Sequence, residues 1–184
     1  MLFYQFNNAN RTNQNTGNIV KLKPHHFFYA ILVSTIGSQS IAAERGPVTN
    51  LLMPRYVSLK ATEANARRGP SLSHRIDWIF KKKGMPLEIY GEYDNWRRVR
   101  DAEGAGGWIH YSLLSGVRSI VVTASMANLH RKSNKNSMVL ARIEENYITD
   151  LGKCVKDWCE IDAGKYDGWV KKTDIWGVAP NEVR

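Results

Sequence analysis

The chain has 184 residues, a formal charge of +9 and two cysteines. That length admits one ordinary domain or two very small ones, and it excludes a large multidomain enzyme. An apolar fraction of 43%, with six Trp, eight Tyr and five Phe, is that of a globular chain. No apolar run approaches the roughly 20 residues that span a bilayer.

The chain opens with a polar, Asn-rich stretch that ends in Lys21, Lys23, His25 and His26. An apolar run, Phe27 to Gly37, follows, and then the small residues of SQSIAA. A basic flank, a short apolar core and small residues before a cleavage point are the parts of a secretory signal. The reading is a signal over 1–43, cut after Ala42 or Ala43, with a long polar lead that is an extended start. A short membrane anchor or a buried strand is the competing interpretation of the same run. Cleavage would remove Arg11, Lys21 and Lys23 and no carboxylate, so the charge falls from +9 to +6. The expected location is exported, periplasmic or secreted, with no membrane span left after cleavage.

Beyond residue 54 the chain repeats itself. ANARR at 64–68 is answered by ANLHR at 127–131, Asn95-Trp96 by Asp157-Trp158, and Gly107-Trp108-Ile109 by Gly168-Trp169-Val170. The offsets shrink in order, 63, 62 and 61, as small loop deletions would make them. Segments 55–117 and 118–180 are therefore read as tandem domains. In the first, strands are expected at Asp77–Lys83, Pro86–Tyr90, Trp96–Asp101 and Gly106–His110. They are separated by Lys83-Gly84, Gly91–Asn95 and Glu103–Gly106. Short strands at that spacing predict an all-β fold, a small barrel or sandwich in each copy. Single 3₁₀ turns are expected at Ser112–Leu114 and Thr173–Ile175.

The pattern of Asn65, Arg67, Trp96, Val99, Gly107, Trp108, Ile109 and Leu114 resembles the bacterial Src-homology-3 (SH3b) domain. The stretch Asn65–Gly116 is similar to the first domain of exported bacterial proteins that carry such domains in tandem. The second copy is looser, with Asn128, Trp158, Ile161, Gly168, Trp169, Val170 and Ile175 but no Gly-Pro after its first motif. The resemblance implies two tandem small SH3-like barrels that bind peptides, often cell-wall peptides.

Alternation sorts the strand Trp96–Asp101. Arg97, Val99 and Asp101 share one face and Trp96, Arg98 and Arg100 the other. With Val99 in the core, Trp96 turns outward, either as a groove wall or over the end of its own barrel. In the second copy Cys159 and Ile161 take the core face and Trp158 the outer one. Trp78 is a further groove candidate, whereas Trp108 and Trp169, each after a Gly, are expected in the core. Trp176 has no counterpart in the first copy and receives no role. The candidate ligand-binding set is Trp78, Trp96 and Tyr93 in the first copy and Trp158 and Tyr147 in the second. Arg67 and Arg98 are placed to meet a ligand carboxylate through charge-assisted hydrogen bonds.

Cys154 and Cys159 flank the turn equivalent to Glu92–Arg97, where facing hairpin strands bring Cβ atoms within disulfide reach. Export favours their oxidation. A metal or nucleophilic pair is the rival reading, but further cysteines and the C-x-x-C spacing are lacking. No serine elbow, metal pair or phosphate-cradling loop is present. Gly104–Gly107 precedes no helix and reads as a hairpin turn. No cofactor, no metal and no catalysis are expected. The basic residues mix with acidic ones, at +3 over 59–116 and +1 over 121–178, which is a solvated surface and not a track for nucleic acid. The function expected is a non-catalytic exported module recognising peptidoglycan peptide or a peptide segment of a periplasmic protein. The alternative is a protein–protein adaptor, or the regulatory subunit of a cell-wall enzyme, with no wall binding of its own.

Overall fold

The turn residues that punctuate each repeat cut it into strands of two to eight residues, and each set of strands coils into its own barrel. The structure, a computed structural model, describes residues 44–184. The signal expected over 1–43 lies outside the described residues.

A two-stranded hairpin, β1 (Glu44–Arg45) and β2 (Leu52–Met53), comes first, ahead of the two repeats. The first barrel contains β3 (Arg55–Leu59), β4 (Ala64–Arg67), β5 (Ile76–Phe80), β6 (Pro86–Tyr93), β7 (Trp96–Arg100) and β8 (Gly106–His110). A 3₁₀ turn at Tyr111–Leu113 leads into β9 (Leu114–Ser115). The second contains β10 (Ser119–Val122), β11 (Met126–His130), β12 (Val139–Glu144), β13 (Ile148–Cys154), β14 (Trp158–Asp162) and β15 (Asp167–Lys171). Its 3₁₀ turn, Lys172–Asp174, precedes β16 (Ile175–Trp176). Strand orders are β5-β4-β8-β7-β6-β3-β9 and β12-β11-β15-β14-β13-β10-β16, the same arrangement twice. The expected all-β tandem barrels are thus the fold.

Some boundaries differ from expectation. Lys81–Lys83 lie outside β5, in the turn that Gly84 closes at φ +80°. Strand β6 runs through Gly91 to Tyr93, because a bulge between Ile89 and Gly91 absorbs the residue that broke the alternation. Both 3₁₀ turns begin one residue before their expected places.

Each barrel has a separate core. Leu59, Phe80, Leu87, Ile89, Val99 and Ile109 fill the first, and Ile120, Leu129, Ile143, Ile161, Val170 and the two cysteines are among those filling the second. Trp108 and Trp169 do not belong to them. Both are half-buried on the outer faces, and the next residues, Ile109 and Val170, point inward. The preceding glycines explain the motif. A Cβ on Gly107 would stand 2.6 Å from the Arg67 carbonyl oxygen, and one on Gly168 2.7 Å from that of His130. Strands β4 and β8, and β11 and β15, meet there, at Arg67–Trp108 and His130–Trp169. Glycine serves that close approach, and not the placing of Trp in a core.

The described residues belong to one compact unit. Trp176 joins the two barrels by packing edge-on against Tyr56, with ring centroids 5.2 Å apart. Arg118 lies over the same Tyr56 ring at 5.4 Å, donates to the Gly177 carbonyl and pairs with Glu182. Among the described residues no helix is long and apolar enough to cross a membrane.

Candidate peptide groove

Strand β7 begins with Trp96, whose register partners are Tyr93 on β6 and His110 on β8. Alternation places Trp96 on the outer face with Arg98, as expected. Its exposure is not as expected, for only 9% of the residue reaches solvent. The His110 ring packs edge-on against it at 5.7 Å. Trp96 is therefore the floor of a depression rather than an open wall. Pro70, Ser71, Leu72, Asn95, His110, Ser112 and Leu113 line it with Trp96, and this depression, open to solvent, has a volume of about 600 Å³. Leu72 is 75% exposed on this rim. Tyr93 and Tyr111 are also exposed, Tyr93 opposite Trp96 in register and Tyr111 with its ring tilted against that of His110 at 5.0 Å.

The two expected arginines have different positions. Arg67 donates through Nη1 to the carbonyls of Leu72 and His74, at 3.0 and 2.7 Å, and so fastens the loop that forms the rim. Nη1 of its guanidinium is thus engaged by the protein's own backbone. Arg98 is exposed and lies over the Tyr90 ring at 5.1 Å, on the outer face beside Trp108.

Trp78 does not join this groove. It lines a cleft of about 290 Å³ with Met85 and Pro86 of its own barrel and Val121, Asn146 and Ile148 of the second. Tyr147 stands in the turn between Asn146 and Ile148, so it neighbours that cleft. The ring contacts of Trp158 are His130, edge-on at 5.1 Å, and Lys171 Nζ at 5.9 Å. These leave Trp158 only 8% exposed. The second copy also replaces Tyr111 with Lys172, whose ammonium donates to the carbonyls of Lys156, Pro180 and Glu182 and holds down the C-terminal tail. The expected set is thus dispersed: Trp96 lines one groove with Tyr93 as its register neighbour, and Trp78 lines another cleft that Tyr147 neighbours.

Leu72, Asn95, His110 and Ser112 line the groove without being expected there. An exposed Leu in the polar loop after Gly-Pro was the one available sequence signal. No cluster of three His, Cys, Asp or Glu side chains among the described residues is arranged to hold a metal ion.

Beneath the groove the hairpin is braced by Glu92. Its carboxylate is fully buried and accepts hydrogen bonds from the Val48 and Thr49 amides, the Thr49 hydroxyl and Arg55. Burial pushes its pKa up, but the bonds from Thr49, Arg55 and Val48 outweigh this and hold it at about 2. The corresponding place in the second copy is held by the expected disulfide, Cys154–Cys159.

The family model for the bacterial SH3 domain matches residues 60–116 and again 123–177. The chain belongs to the bacterial SH3 domain family. No curated protein matches it. Among solved structures, NlpC2 from Trichomonas vaginalis is similar at 14% identity and a TM-score of 0.32, over 67% of this chain and 48% of that one. NlpC1 from Trichomonas vaginalis has the same identity and TM-score, over 76% and 50%. This bacterial SH3 domain protein therefore spans about half the length of the two solved chains it matches.

Proposed function

We propose that this protein is a non-catalytic, exported binding module that takes an extended peptide in the groove over Trp96, from peptidoglycan or from a periplasmic protein. Domains of its family are commonly modules that bind peptidoglycan or proteins. The observation that carries the reading is the groove itself: a nearly buried Trp96 against a half-buried His110, an exposed apolar rim at Leu72 and polar groups from Asn95 and Ser112. An aromatic floor supplies contact area that costs little side-chain entropy, and the polar rim orients a backbone. Export is supported by the disulfide, which persists in oxidising compartments. The second barrel acts chiefly as a support for the first, because Lys172, its Tyr111 equivalent, is tied to the tail.

The test is co-sedimentation of the full chain with purified peptidoglycan at two salt concentrations, beside Leu72→Asp and Trp96→Ala. Leu72 is exposed, so its replacement changes the groove without emptying a core. Saturable binding that survives high salt and is lost in Leu72→Asp is the expected result. Binding abolished by salt alone reflects only a basic protein on an anionic polymer. Absence of pelleting excludes the wall and leaves a protein partner, the adaptor reading.

A further inference from the structure

Strand β5 pairs with β4 on one side, and among the described residues no strand pairs with its other side. Its open edge offers every second backbone amide and carbonyl to solvent. Edge strands are usually blunted by charge, and the second barrel shows that device at the matching place. There β12 sets Ala141 and Arg142 opposite Leu129 and Asn128, where β5 sets Trp78 and Ile79 opposite Ala66 and Asn65. The first copy has thus kept an apolar edge, with Ile76, Trp78 and Ile79 each 40 to 45% exposed. Depressions lie along it, one running along Ile76–Ile79 and one formed with Val121 and Ile148 of the second barrel.

The charges around this edge select an occupant. Arg68 and Arg75 share Asp77 at one end, and Lys81, Lys82 and Lys83 stand exposed just past the other. A second copy paired antiparallel about Trp78 would set Arg75 against Lys81. Paired in parallel, it would stack the lysines on one another. Both arrangements place like charges opposite each other, which is destabilising. We propose that β5 adds an extended strand of another protein, apolar in its middle and acidic at its ends. Main-chain hydrogen bonds would give affinity, and the two depressions would take alternate side chains. This surface is separate from the groove over Trp96 and does not depend on it.

The probe is a fluorescent peptide of about eight residues, alternating Val and Thr with Glu at both ends. Two controls accompany it, one with Lys ends and one N-methylated at alternate amides. With the full chain, the Glu-ended peptide is expected to bind, and both controls to bind at least about tenfold more weakly. Amide exchange should slow at alternate residues of Ile76–Phe80. Ile79→Arg, which copies the second barrel's own residue and so suits the fold, should weaken binding about tenfold, and Leu72→Asp should not. Equal binding of the N-methylated peptide overturns strand addition. So does loss in Leu72→Asp with none in Ile79→Arg, or concentration-dependent self-association through β5 that excludes the peptide.

Discussion

Glu92 stands opposite Arg97 across the β6–β7 hairpin, at the register position that Cys154 and Cys159 occupy across β13–β14. One copy closes its hairpin with buried charge and the other with a covalent bond. Each also receives a terminal segment at that point. The β1–β2 turn donates to Glu92 through the Val48 and Thr49 amides, and Arg184 exchanges backbone hydrogen bonds with Cys154.

Replacing Glu92 with Gln leaves Arg55 and Arg97 beside a buried neutral amide. Breaking one side of a buried charged network costs roughly 3 kcal/mol, and urea unfolding measures it. Amide exchange at Val48 and Thr49 should accelerate as the β1–β2 hairpin is released. Gly46→Ala should release the same hairpin, because a Cβ there would run into the Glu92 carboxylate. An unchanged midpoint in Glu92→Gln would show that the carboxylate does not hold the hairpin.

Acid should weaken the protein in a defined window. Glu92 has a pKa of about 2 in the folded chain against an ordinary value of 4.5. A carboxyl whose folded pKa is depressed stabilises fully above its unfolded value and loses that contribution as pH falls through the folded one. The Glu92 share is therefore complete above pH 4.5 and declines towards pH 2. Stability curves for the native chain and Glu92→Gln should converge across that range, and parallel curves would contradict the assignment.

The disulfide closes a loop of small sequence separation, five residues. The chain-entropy relation gives a stabilisation of about 2 kcal/mol for so short a loop. Reduction, or the double change Cys154→Ser and Cys159→Ser, should lower the unfolding midpoint by that amount. Exchange at Arg184 should rise with it, because Cys154 anchors the tail.

The strand string of each copy was legible because apolar alternation and turn residues are local signals, repeated at nearly constant offset. Alternation also placed Trp96 on the outer face. It did not reveal that His110 covers the ring, because alternation assigns a face and not what is packed over it. Trp108 and Trp169 were misjudged for a related reason: size and apolarity suit a core, but parity gives the inward places to Ile109 and Val170. The Glu92 clamp joins residues 43 and 44 positions apart, beyond any local pattern. Trp176 lacked a counterpart within the repeat because its partner, Tyr56, belongs to the other copy.

Trp176→Ala should loosen the two barrels without unfolding either, since Trp176 is half-buried and outside both core clusters. An edge-on aromatic pair contributes about 1 kcal/mol beyond its buried area. Nuclear spin relaxation should then report separate tumbling times for residues of the two barrels, where the native chain reports one. A common tumbling time in the variant would mean that Arg118 over Tyr56 suffices.

Arg67 offers a clean distinction between holding a loop and holding a ligand. In its observed place it ties Leu72 and His74 carbonyls to β4, so Arg67→Ala should free the Pro70–His74 rim. Exchange in that loop should rise, and affinity for a groove ligand should fall about tenfold through the cost of reordering the rim. The salt dependence of binding should stay the same, because no ligand charge is being paired or released. A direct contact with a carboxylate would behave differently, since its loss flattens the salt dependence while the loop stays ordered. Measuring affinity at two salt concentrations together with loop exchange decides between the two roles.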